Sequence, residues 1–235
     1  VDLGSESKLR YWDLGPLLQG VIMEHIDPVY AEQMHADGFN PYSQYCALKE
    51  GQLVWVINSL TDSSYHSIVE PVLGAGNLCI KKLGIPLAPV KQSQICLSKQ
   101  ELIGLIYNSR QRKFVINFVS PTSFKSGGNY QIMPNMHLLY QNLIMHYGQV
   151  FDADQEVDPE TVDYLAEHTR IVGYNLTSRY FHLSENSLPA FHGSMTIMLK
   201  GAQPLIGLAH MLLRFGTFGG VGIKTSMGMG GFSIE

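Results

Sequence analysis

The feature that most constrains the fold is a glycine-rich stretch near the end of the chain, residues 219–231, here called the glycine segment. It reads Gly-Gly-Val-Gly-Ile-Lys-Thr-Ser-Met-Gly-Met-Gly-Gly. Glycine has no Cβ and adopts positive φ freely, so such a stretch cannot fill a core but can bring backbone N–H groups against an anion. We therefore expect phosphate contact. The alternative is a flexible tail or a glycine-rich hairpin.

Three common glycine motifs do not fit the spacing. A P-loop needs glycine directly before the lysine, where Ile223 stands, and a dinucleotide fingerprint needs a third glycine at Thr225. A nucleophile elbow around Ser226 needs glycine where Lys224 stands. The nucleotide-binding folds and the hydrolase elbow are therefore excluded.

Composition indicates a globular protein. The chain has 235 residues, 45% hydrophobic and 15% charged, which suits one large domain or two small ones. No apolar run has the length of a membrane span, no signal-peptide pattern is present, and a start at Val1 leaves open that residues precede it. Three scattered cysteines predict neither disulfides nor a zinc site, and no two histidines stand three or four apart. We expect no metal and a cytoplasmic location.

The charge is unevenly distributed along the chain. The net charge of −4 argues weakly against nucleic acid, but residues 150–169 carry seven acidic side chains and no lysine or arginine. Residues 170–235 carry five basic and two acidic side chains, so the end with the glycine segment is locally basic. The acidic run is interpreted as a solvated helix start, because Asp158 and Pro159 resemble a cap and a first helical residue.

Hydrophobic periodicity predicts the order of helices and strands. In the first half, strands are predicted to end at Leu3 and to cover residues 42–48, 53–60, 78–83 and 89–96. Helices are predicted over residues 14–26, 29–34, 62–73 (capped by Asp62) and 98–108. In the second half, strands are predicted over residues 113–119, 171–182, 191–199 and 230–235, with helices over 134–147, 162–168 and 204–215.

Both halves follow the order β-α-β-β-α-β with additions, which is the ferredoxin-like plan. The sequence therefore predicts an α+β protein of two ferredoxin-like (RRM-like) domains in tandem, residues 1–110 and 111–235. The glycine segment then lies between the last helix and the last strand. We expect a fixed loop beside a sheet rather than a tail.

Several short motifs, in order along the chain, carry a family resemblance. They are residues 19–22 (Gln-Gly-Val-Ile), 34–35 (Met-His), 40–43 (Asn-Pro-Tyr-Ser), 120–125 (Ser-Pro-Thr-Ser-Phe-Lys), 189–193 (Pro-Ala-Phe-His-Gly) and the glycine segment. Together they resemble the CRISPR-associated repeat-processing endoribonucleases of the repeat-associated mysterious protein superfamily. The likeness runs from about residue 15 to the end and is closest to members that accompany type III effector complexes.

The resemblance implies a nuclease that cuts precursor CRISPR RNA within each repeat and uses neither a metal nor a cofactor. The 2′-hydroxyl attacks the adjacent phosphate, leaving a 2′,3′-cyclic phosphate and a 5′-hydroxyl. Such a reaction needs a base for the 2′-hydroxyl, an acid for the leaving 5′-oxygen and positive charge at the phosphorane. The implied partner is repeat RNA, single-stranded or weakly structured, with transient association with a type III effector complex and a homodimer as further expectations.

His35 is the expected catalytic residue, because it aligns with the family's histidine and histidine suits proton transfer near neutrality. Without the family, a histidine at a helix end is more often a cap or a surface residue. The tyrosine and lysine that the family often adds fall near Met23 and Asn40, which leaves the partners of His35 open. Asn40 is kept as a candidate at the lysine position.

Three other residues are candidates for the catalytic site. His25 is a possible second proton-transfer group, and Tyr42 and Ser43 are possible hydrogen-bond donors to phosphate. The simpler interpretation places His25 on a helix face and Tyr42 in a strand.

RNA binding is predicted for the glycine segment and two other sites. Lys224 should neutralise a phosphate, with Thr225, Ser226 and backbone amides donating hydrogen bonds. Lys125 begins a hairpin that contacts RNA or is an inert turn, and Arg179 faces RNA or pairs with the acidic run. The glycines expected to contact RNA are Gly220, Gly222, Gly228 and Gly230.

Two alternatives to the endoribonuclease stay open at this point. The first is a non-catalytic RNA-binding subunit of a CRISPR effector complex, which the missing lysine and tyrosine counterparts favour slightly. The second is a phosphate-ligand enzyme unrelated to RNA.

Overall fold

The helices and strands largely follow the predicted order. The computed structural model describes residues 10–151, 157–183 and 186–235, and of residues 35–37 the backbone only. The helices are α1 (Gly15–His25), α2 (Pro28–Asp37), α3 (Asp62–Ser64), α4 (Glu70–Gly74), α5 (Lys99–Asn108), α6 (Met136–Phe151), α7 (Pro159–Glu167) and α8 (Gln203–Gly219). The strands are β1 (Tyr42–Lys49), β2 (Gln52–Ser59), β3 (Leu78–Ile80), β4 (Ile85–Leu87), β5 (Lys113–Thr122), β6 (Phe124–Ser126), β7 (Asn129–Gln131), β8 (Thr169–Leu183), β9 (Asn186–Leu199) and β10 (Phe232–Ile234). The predicted strand ending at Leu3 and the acidic residues 152–156 lie outside the described residues.

The first unit is built on the antiparallel hairpin of β1 and β2. Glu50 and Gly51 both have positive φ and close the turn between the two strands. A core of apolar side chains, including Leu18, Ile22 and Ile68, joins α1 and the helical run of residues 62–74 to this hairpin. That run has a π-helical middle, Tyr65–Val69, between α3 and α4. The order of elements is therefore helix, two strands, helix and strand.

The second unit has a four-stranded antiparallel sheet in the order β10-β5-β9-β8. Counted within the unit, this order is 4-1-3-2, the arrangement of a ferredoxin-like βαββαβ fold. Side chains from α6 and α8, among them Leu139, Leu143 and Leu212, pack with Phe114 and Ile116 in the core of this unit. The predicted α+β class with tandem ferredoxin-like units is confirmed.

Local sequence signals explain where the helices begin. The Asp27 side chain accepts hydrogen bonds from Val29 N–H and Tyr30 N–H at the start of α2. Ser98 and Glu101 form a reciprocal capping box at α5, and Asp158 caps α7. Each cap satisfies N–H groups that have no partner within the helix. The predicted cap at residue 158 is confirmed.

Some predicted boundaries were wrong. Residues 89–96 form no regular strand, and Val90 and Ile95 are exposed, because no neighbouring strand or core face covers them. The strand predicted over residues 78–83 ends at Ile80, where a turn leads into β4. Thr61, not Asp62, caps α3, and its hydroxyl accepts from Ser64 N–H. None of the described helices combines the length and the apolarity needed to span a membrane.

Helix α5 packs against α8 of the second unit. Leu102 of α5 belongs to the core of the second unit, and the Ser109 hydroxyl lies 2.6 Å from His210 Nδ1 on α8. The helices meet at Gly207, where an added Cβ would overlap the Ile106 backbone. The predicted boundary near residue 110 stays a prediction, and α5, just before it, is part of the second core.

The replacement Gly207→Ala should lower the free energy of unfolding by about 2–3 kcal/mol, since the methyl group pushes α5 away from α8. The matched control is Gly20→Ala in α1, where an added Cβ meets no atom within 4 Å. That replacement should stabilise the protein by about 0.5–1 kcal/mol, because alanine favours helix over glycine. Urea unfolding of the two variants checks both signs. Equal stability of Gly207→Ala and the parent protein would contradict the described helix contact.

Candidate functional site

The glycine segment is hydrogen-bonded to the second unit at several points. Ile223 N–H donates to the Ser123 carbonyl, and Gly230 N–H donates to the Pro121 carbonyl, each over 3.0 Å. Within the segment, Val221 N–H donates to the Gly230 carbonyl over 2.9 Å. These bonds hold the segment against the end of β5. The expected fixed loop is confirmed.

The glycines allow backbones to approach each other closely. Gly222, Gly228 and Gly230 all have positive φ. A Cβ on Gly222 would overlap the Ser123 carbonyl oxygen, and one on Gly228 would lie 2.7 Å from the Gly15 Cα. The segment was expected to present its N–H groups to an anion, whereas several of them are used within the protein. Contact of these glycines with RNA stays a prediction.

A buried glutamine, Gln44 in β1, joins the two units. Its Nε2 donates to the Gly15 carbonyl over 2.8 Å and to the Ser226 carbonyl over 3.2 Å. Its Oε1 accepts from Trp55 Nε1–H over 3.0 Å. Sequence reasoning missed this residue. The available signal was a polar side chain at the inward position between Tyr42 and Cys46, in the period-two pattern of the strand.

The three side chains predicted to bind phosphate in the glycine segment differ in exposure. Lys224 is exposed, has φ of 57°, and precedes the short 3₁₀ turn Thr225–Met227. Its carbonyl accepts from Met227 N–H and Met229 N–H, so its own backbone is fixed. Thr225 is half-buried, and Ser226 is buried. The Lys224 ammonium is thus presented to solvent from a rigid turn.

The histidine candidates lie at helix ends in the first unit. His35 is in the last turn of α2, and its side chain lies outside the described residues. Asn40 is exposed in the turn that leads from α2 into β1. His25 ends α1, and its Nδ1 lies 2.8 Å from the Val21 carbonyl. His25 is about 15 Å along α1 from Gly15, which contacts the glycine segment.

Tyr42 and Ser43 are buried at the start of β1. The Ser43 hydroxyl donates to the Phe218 carbonyl at the end of α8 and accepts from Asn58 Nδ2 over 2.9 Å. Burial raises the pKa of Tyr42 to about 12, and among the described residues its hydroxyl has no hydrogen-bond partner of ordinary geometry. This geometry does not support the prediction that both hydroxyls bind phosphate, because Tyr42 is buried in the core of the first unit and Ser43 is bonded to the second.

Lys125 lies in the predicted hairpin, which β6 and β7 form. Its ammonium is exposed and lies 5.9 Å from the centre of the Tyr130 ring. The hairpin follows Ser123, whose carbonyl accepts from Ile223 N–H of the glycine segment. Lys125 therefore lies only two residues after the residue to which the glycine segment is bonded.

Arg179 belongs to a second group of side chains, on the sheet face away from α6 and α8. Its guanidinium lies 5.8 Å from the Trp12 ring centre, and the Tyr11 hydroxyl lies 3.4 Å from His192 Nε2. Burial and the charge of Arg179 lower the pKa of His192. An open cleft of about 310 Å³ borders this group, lined in part by Tyr11, Asn117, Asn175 and His192. Arg179 lies over an aromatic ring and forms no ion pair with the described acidic residues of the run, which are those at 158, 160, 163 and 167. Sequence reasoning missed the cleft.

Helix α6 contributes two polar side chains next to the glycine segment. Asn142 Oδ1 accepts from Gly222 N–H over 2.8 Å, and Asn142 Nδ2 lies 3.4 Å from His146 Nε2. The His146 ring centre is 6.1 Å from that of Phe39, in the turn after α2. Burial lowers the pKa of His146 to about 4. Sequence reasoning gave neither residue a role.

The chain was compared with known proteins. Residues 116–232 match the family model of the CRISPR-associated endoribonuclease Cas6. The Cas6 of Streptococcus thermophilus is 34% identical over 225 residues, covering 95% of this chain and 92% of the relative. A Cas6 of Mycobacterium tuberculosis is 32% identical over 232 residues, covering 97% of this chain and 74% of the relative.

Solved structures agree with the fold. A Cas6 product complex superposes with a TM-score of 0.75 at 21% identity, covering 95% of this chain and 92% of that one. Thermus thermophilus Cas6 superposes with a TM-score of 0.67 at 19% identity, covering 99% and 94%. The chain therefore belongs to the Cas6 family of CRISPR-associated endoribonucleases.

The lowered pKa of His146 predicts acid sensitivity. Between its unfolded pKa of 6.5 and its folded pKa of about 4, the unfolded chain binds a proton that the folded chain does not. The contribution of this group to the unfolding free energy is therefore complete above pH 6.5 and is lost as the pH falls through about 4, by about 3 kcal/mol in all.

The variant His146→Gln should lose less unfolding free energy between pH 7 and pH 4.5 than the parent protein, as measured by urea unfolding. Burial also lowers the pKa values of His192 and His210, so they contribute equally to both proteins. The control is Gln141→Ala, at an exposed and uncharged position of the same helix, which should give a pH curve parallel to that of the parent. If the unfolding free energies of His146→Gln and the parent change in parallel with pH, the His146 ring is not kept neutral by the fold.

Proposed function

We propose that this Cas6 endoribonuclease cleaves precursor CRISPR RNA within each repeat, without a metal ion, by attack of the 2′-oxygen on the neighbouring phosphate. A base removes the 2′-hydroxyl proton, the bond from phosphorus to the 5′-oxygen breaks, and an acid protonates that oxygen. The products are a 2′,3′-cyclic phosphate and a 5′-hydroxyl. Family membership favours this function over the non-catalytic subunit and over an enzyme unrelated to RNA.

One observation carries the proposal. The strand that follows the His35 helix is bonded directly to the glycine segment through Gln44, which donates to the Ser226 carbonyl, and to the end of α8 through Ser43, which donates to the Phe218 carbonyl. A proton-transfer group and a phosphate-binding loop work together only if their separation is fixed. The buried bonds of β1 supply such a connection between the helix end and the loop.

His35 is proposed as the residue that transfers a proton at the scissile phosphate. Asn40, exposed five residues later, is proposed to hydrogen-bond the same phosphate. An amide donates a hydrogen bond without charge, so it stabilises the phosphorane less than a lysine would. His25 stays a candidate for the second proton transfer, although its Nδ1 is already near the Val21 carbonyl. Tyr42 and Ser43 are proposed to support the site structurally rather than to contact RNA, because both are buried.

RNA binding is proposed to centre on Lys224. Its exposed ammonium forms no ion pair within the described part of the chain, so it is free to meet a phosphate. The Thr225 side chain adds a hydrogen bond, whereas the N–H groups of Gly222 and Gly230 are already bonded within the protein. Lys125 extends the basic surface along the adjoining hairpin. Arg179 and Trp12 offer a separate contact for unpaired RNA, since arginine and aromatic planes stack on bases.

Three further statements about partners and location stay proposals. The substrate is proposed to be single-stranded or weakly structured repeat RNA, because the contacts come from loops. A homodimer is supported by the exposed edge of β8, where Val172 and Tyr174 are exposed, since an unpaired strand edge can pair with a second chain. Transient association with a type III effector complex and a cytoplasmic location rest on the family resemblance and the composition.

Replacement of His35 by alanine should reduce the cleavage rate of repeat RNA by about 10²–10⁴-fold, since a positioned proton-transfer group contributes that much. RNA affinity should stay within about twofold, because the glycine segment is unchanged. Single-turnover cleavage and filter binding measure the two effects. The control is His66→Ala, an exposed histidine paired with Glu70.

The same assay tests the chemistry. EDTA should leave the rate unchanged, and a 2′-deoxy nucleotide on the 5′ side of the cut should block the reaction because the nucleophile is missing. Cleavage that survives in His35→Ala but disappears in EDTA would rule out the proposed mechanism.

Replacement of Lys224 by alanine should weaken repeat-RNA binding about tenfold, the loss expected for one charged phosphate contact. The slope of log Kd against log salt should also become shallower by about 0.7, because one fewer counterion is released from single-stranded RNA. Lys82→Ala, an exposed lysine in the turn after β3, is the control and should change neither quantity. An unchanged salt slope in Lys224→Ala would remove Lys224 from the RNA interface.

A further inference from the structure

A line of side chains on α6 connects the glycine segment to the turn that follows the His35 helix. Asn142 Oδ1 accepts from Gly222 N–H over 2.8 Å, and Asn142 Nδ2 lies 3.4 Å from His146 Nε2. The His146 ring also lies beside the Phe39 ring, with the two ring centres 6.1 Å apart. Phe39 is four residues after His35. The line therefore joins the glycine segment of the second unit to the turn that follows α2 in the first unit.

The hydrogen bonds fix the orientation of each group. A backbone N–H only donates, so the Asn142 atom facing Gly222 must be the oxygen, and its NH₂ must face His146. The His146 Nε2 must then accept, which places the imidazole proton on Nδ1. The ring is thus neutral with one defined tautomer. A protonated ring would set an N–H against the Asn142 NH₂ and break the line.

Packing alone does not explain a histidine at this position. His146 Nδ1 is buried and has no hydrogen-bond partner among the described residues. A buried donor without a partner costs about 1–3 kcal/mol. A leucine, like Leu139 and Leu143 on the same helix, would pack without that cost. A buried polar group that costs stability calls for a role outside stability.

We propose that Asn142 and His146 act as positioning residues that set the end of α2, with His35 and the turn that follows it, against the glycine segment, and thereby control the cleavage step without touching RNA. The proposal rests on the proposed function of His35. Its chemistry is a neutral amide-to-imidazole hydrogen bond backed by an aromatic contact. Loss of the bond should allow the turn after α2 to shift relative to Gly222, which slows a reaction that depends on alignment.

The test uses the full-length protein and repeat RNA, with single-turnover cleavage at saturating enzyme and RNA binding measured separately. His146→Phe keeps a ring against Phe39 but removes the acceptor, and should slow cleavage about tenfold with Kd within twofold. His146→Gln can restore an acceptor and should recover the rate to within about threefold of the parent. His137→Phe, on the exposed first turn of α6, is the matched control and should behave as the parent does.

Two more variants keep the test decisive if one protein folds poorly. Asn142→Ala should show the same split between cleavage and binding as His146→Phe. The single variants Phe39→Ala and His146→Ala are compared with the double variant. The double variant should cleave no more slowly than the slower of the two, since both residues act through one line of contacts.

Several outcomes would overturn the proposal. Normal cleavage in both His146→Phe and Asn142→Ala would do so, as would parallel losses of cleavage, binding and thermal stability without rescue by glutamine. His35→Ala is run beside them. If His35→Ala cleaves normally, the proposed function fails; if it is inactive while the α6 variants are normal, only the positioning role fails.

Discussion

The buried side chain of Gln44 is the interaction on which the arrangement of the two units depends. Its amide reaches the start of α1, the 3₁₀ turn of the glycine segment and the indole of Trp55 at the same time. The two bonds that its Nε2 donates are buried, where an unpaired amide would be costly. The first hairpin, the first helix and the glycine segment are therefore held in fixed positions relative to one another. A shift of any one of them leaves a buried donor or acceptor unpaired.

The glycine segment serves the fold as well as the proposed chemistry. Its residues with positive φ let it pass against Gly15 and Ser123 at distances that a Cβ would not permit. Several of its N–H groups bond to protein, which leaves the exposed lysine as its main electrostatic feature. A rigid backbone that presents one ammonium loses little entropy when it meets a phosphate. Rigidity is thus what links the structural role to the functional one.

Polar contacts recur wherever the two units meet. Ser43 and Gln44 reach the second unit from β1, and Tyr11 and Trp12 reach His192 and Arg179 on the open face of its sheet. On the other side, Asn142 and His146 connect α6 to Gly222 and Phe39. Hydrogen bonds and stacked rings fix orientation better than apolar packing does, because they depend on direction as well as distance. The catalytic proposal relies on that fixed orientation.

The sequence by itself determined most elements and the family. Caps such as Asp27 and Ser98 are local signals, and the apolar periodicity of α8 or β5 follows from neighbours along the chain, so both can be read without a structure. The misplaced strand over residues 89–96 shows the limit of this kind of reasoning: its residues suit a strand, but no partner strand lies beside them.

The tertiary structure decided which candidates share a site. Tyr42 and Ser43 are possible surface donors by sequence, yet Tyr42 is buried in the core of the first unit and the Ser43 hydroxyl donates to a residue more than 150 positions away along the chain. Gln44, Asn142 and His146 carry no motif, and their roles come from contacts with Gly15, Gly222 and Phe39, which no local pattern contains. The sequence alone determines which chemical groups a residue carries. Long-range packing determines which other groups they contact, and a functional site consists of groups in contact.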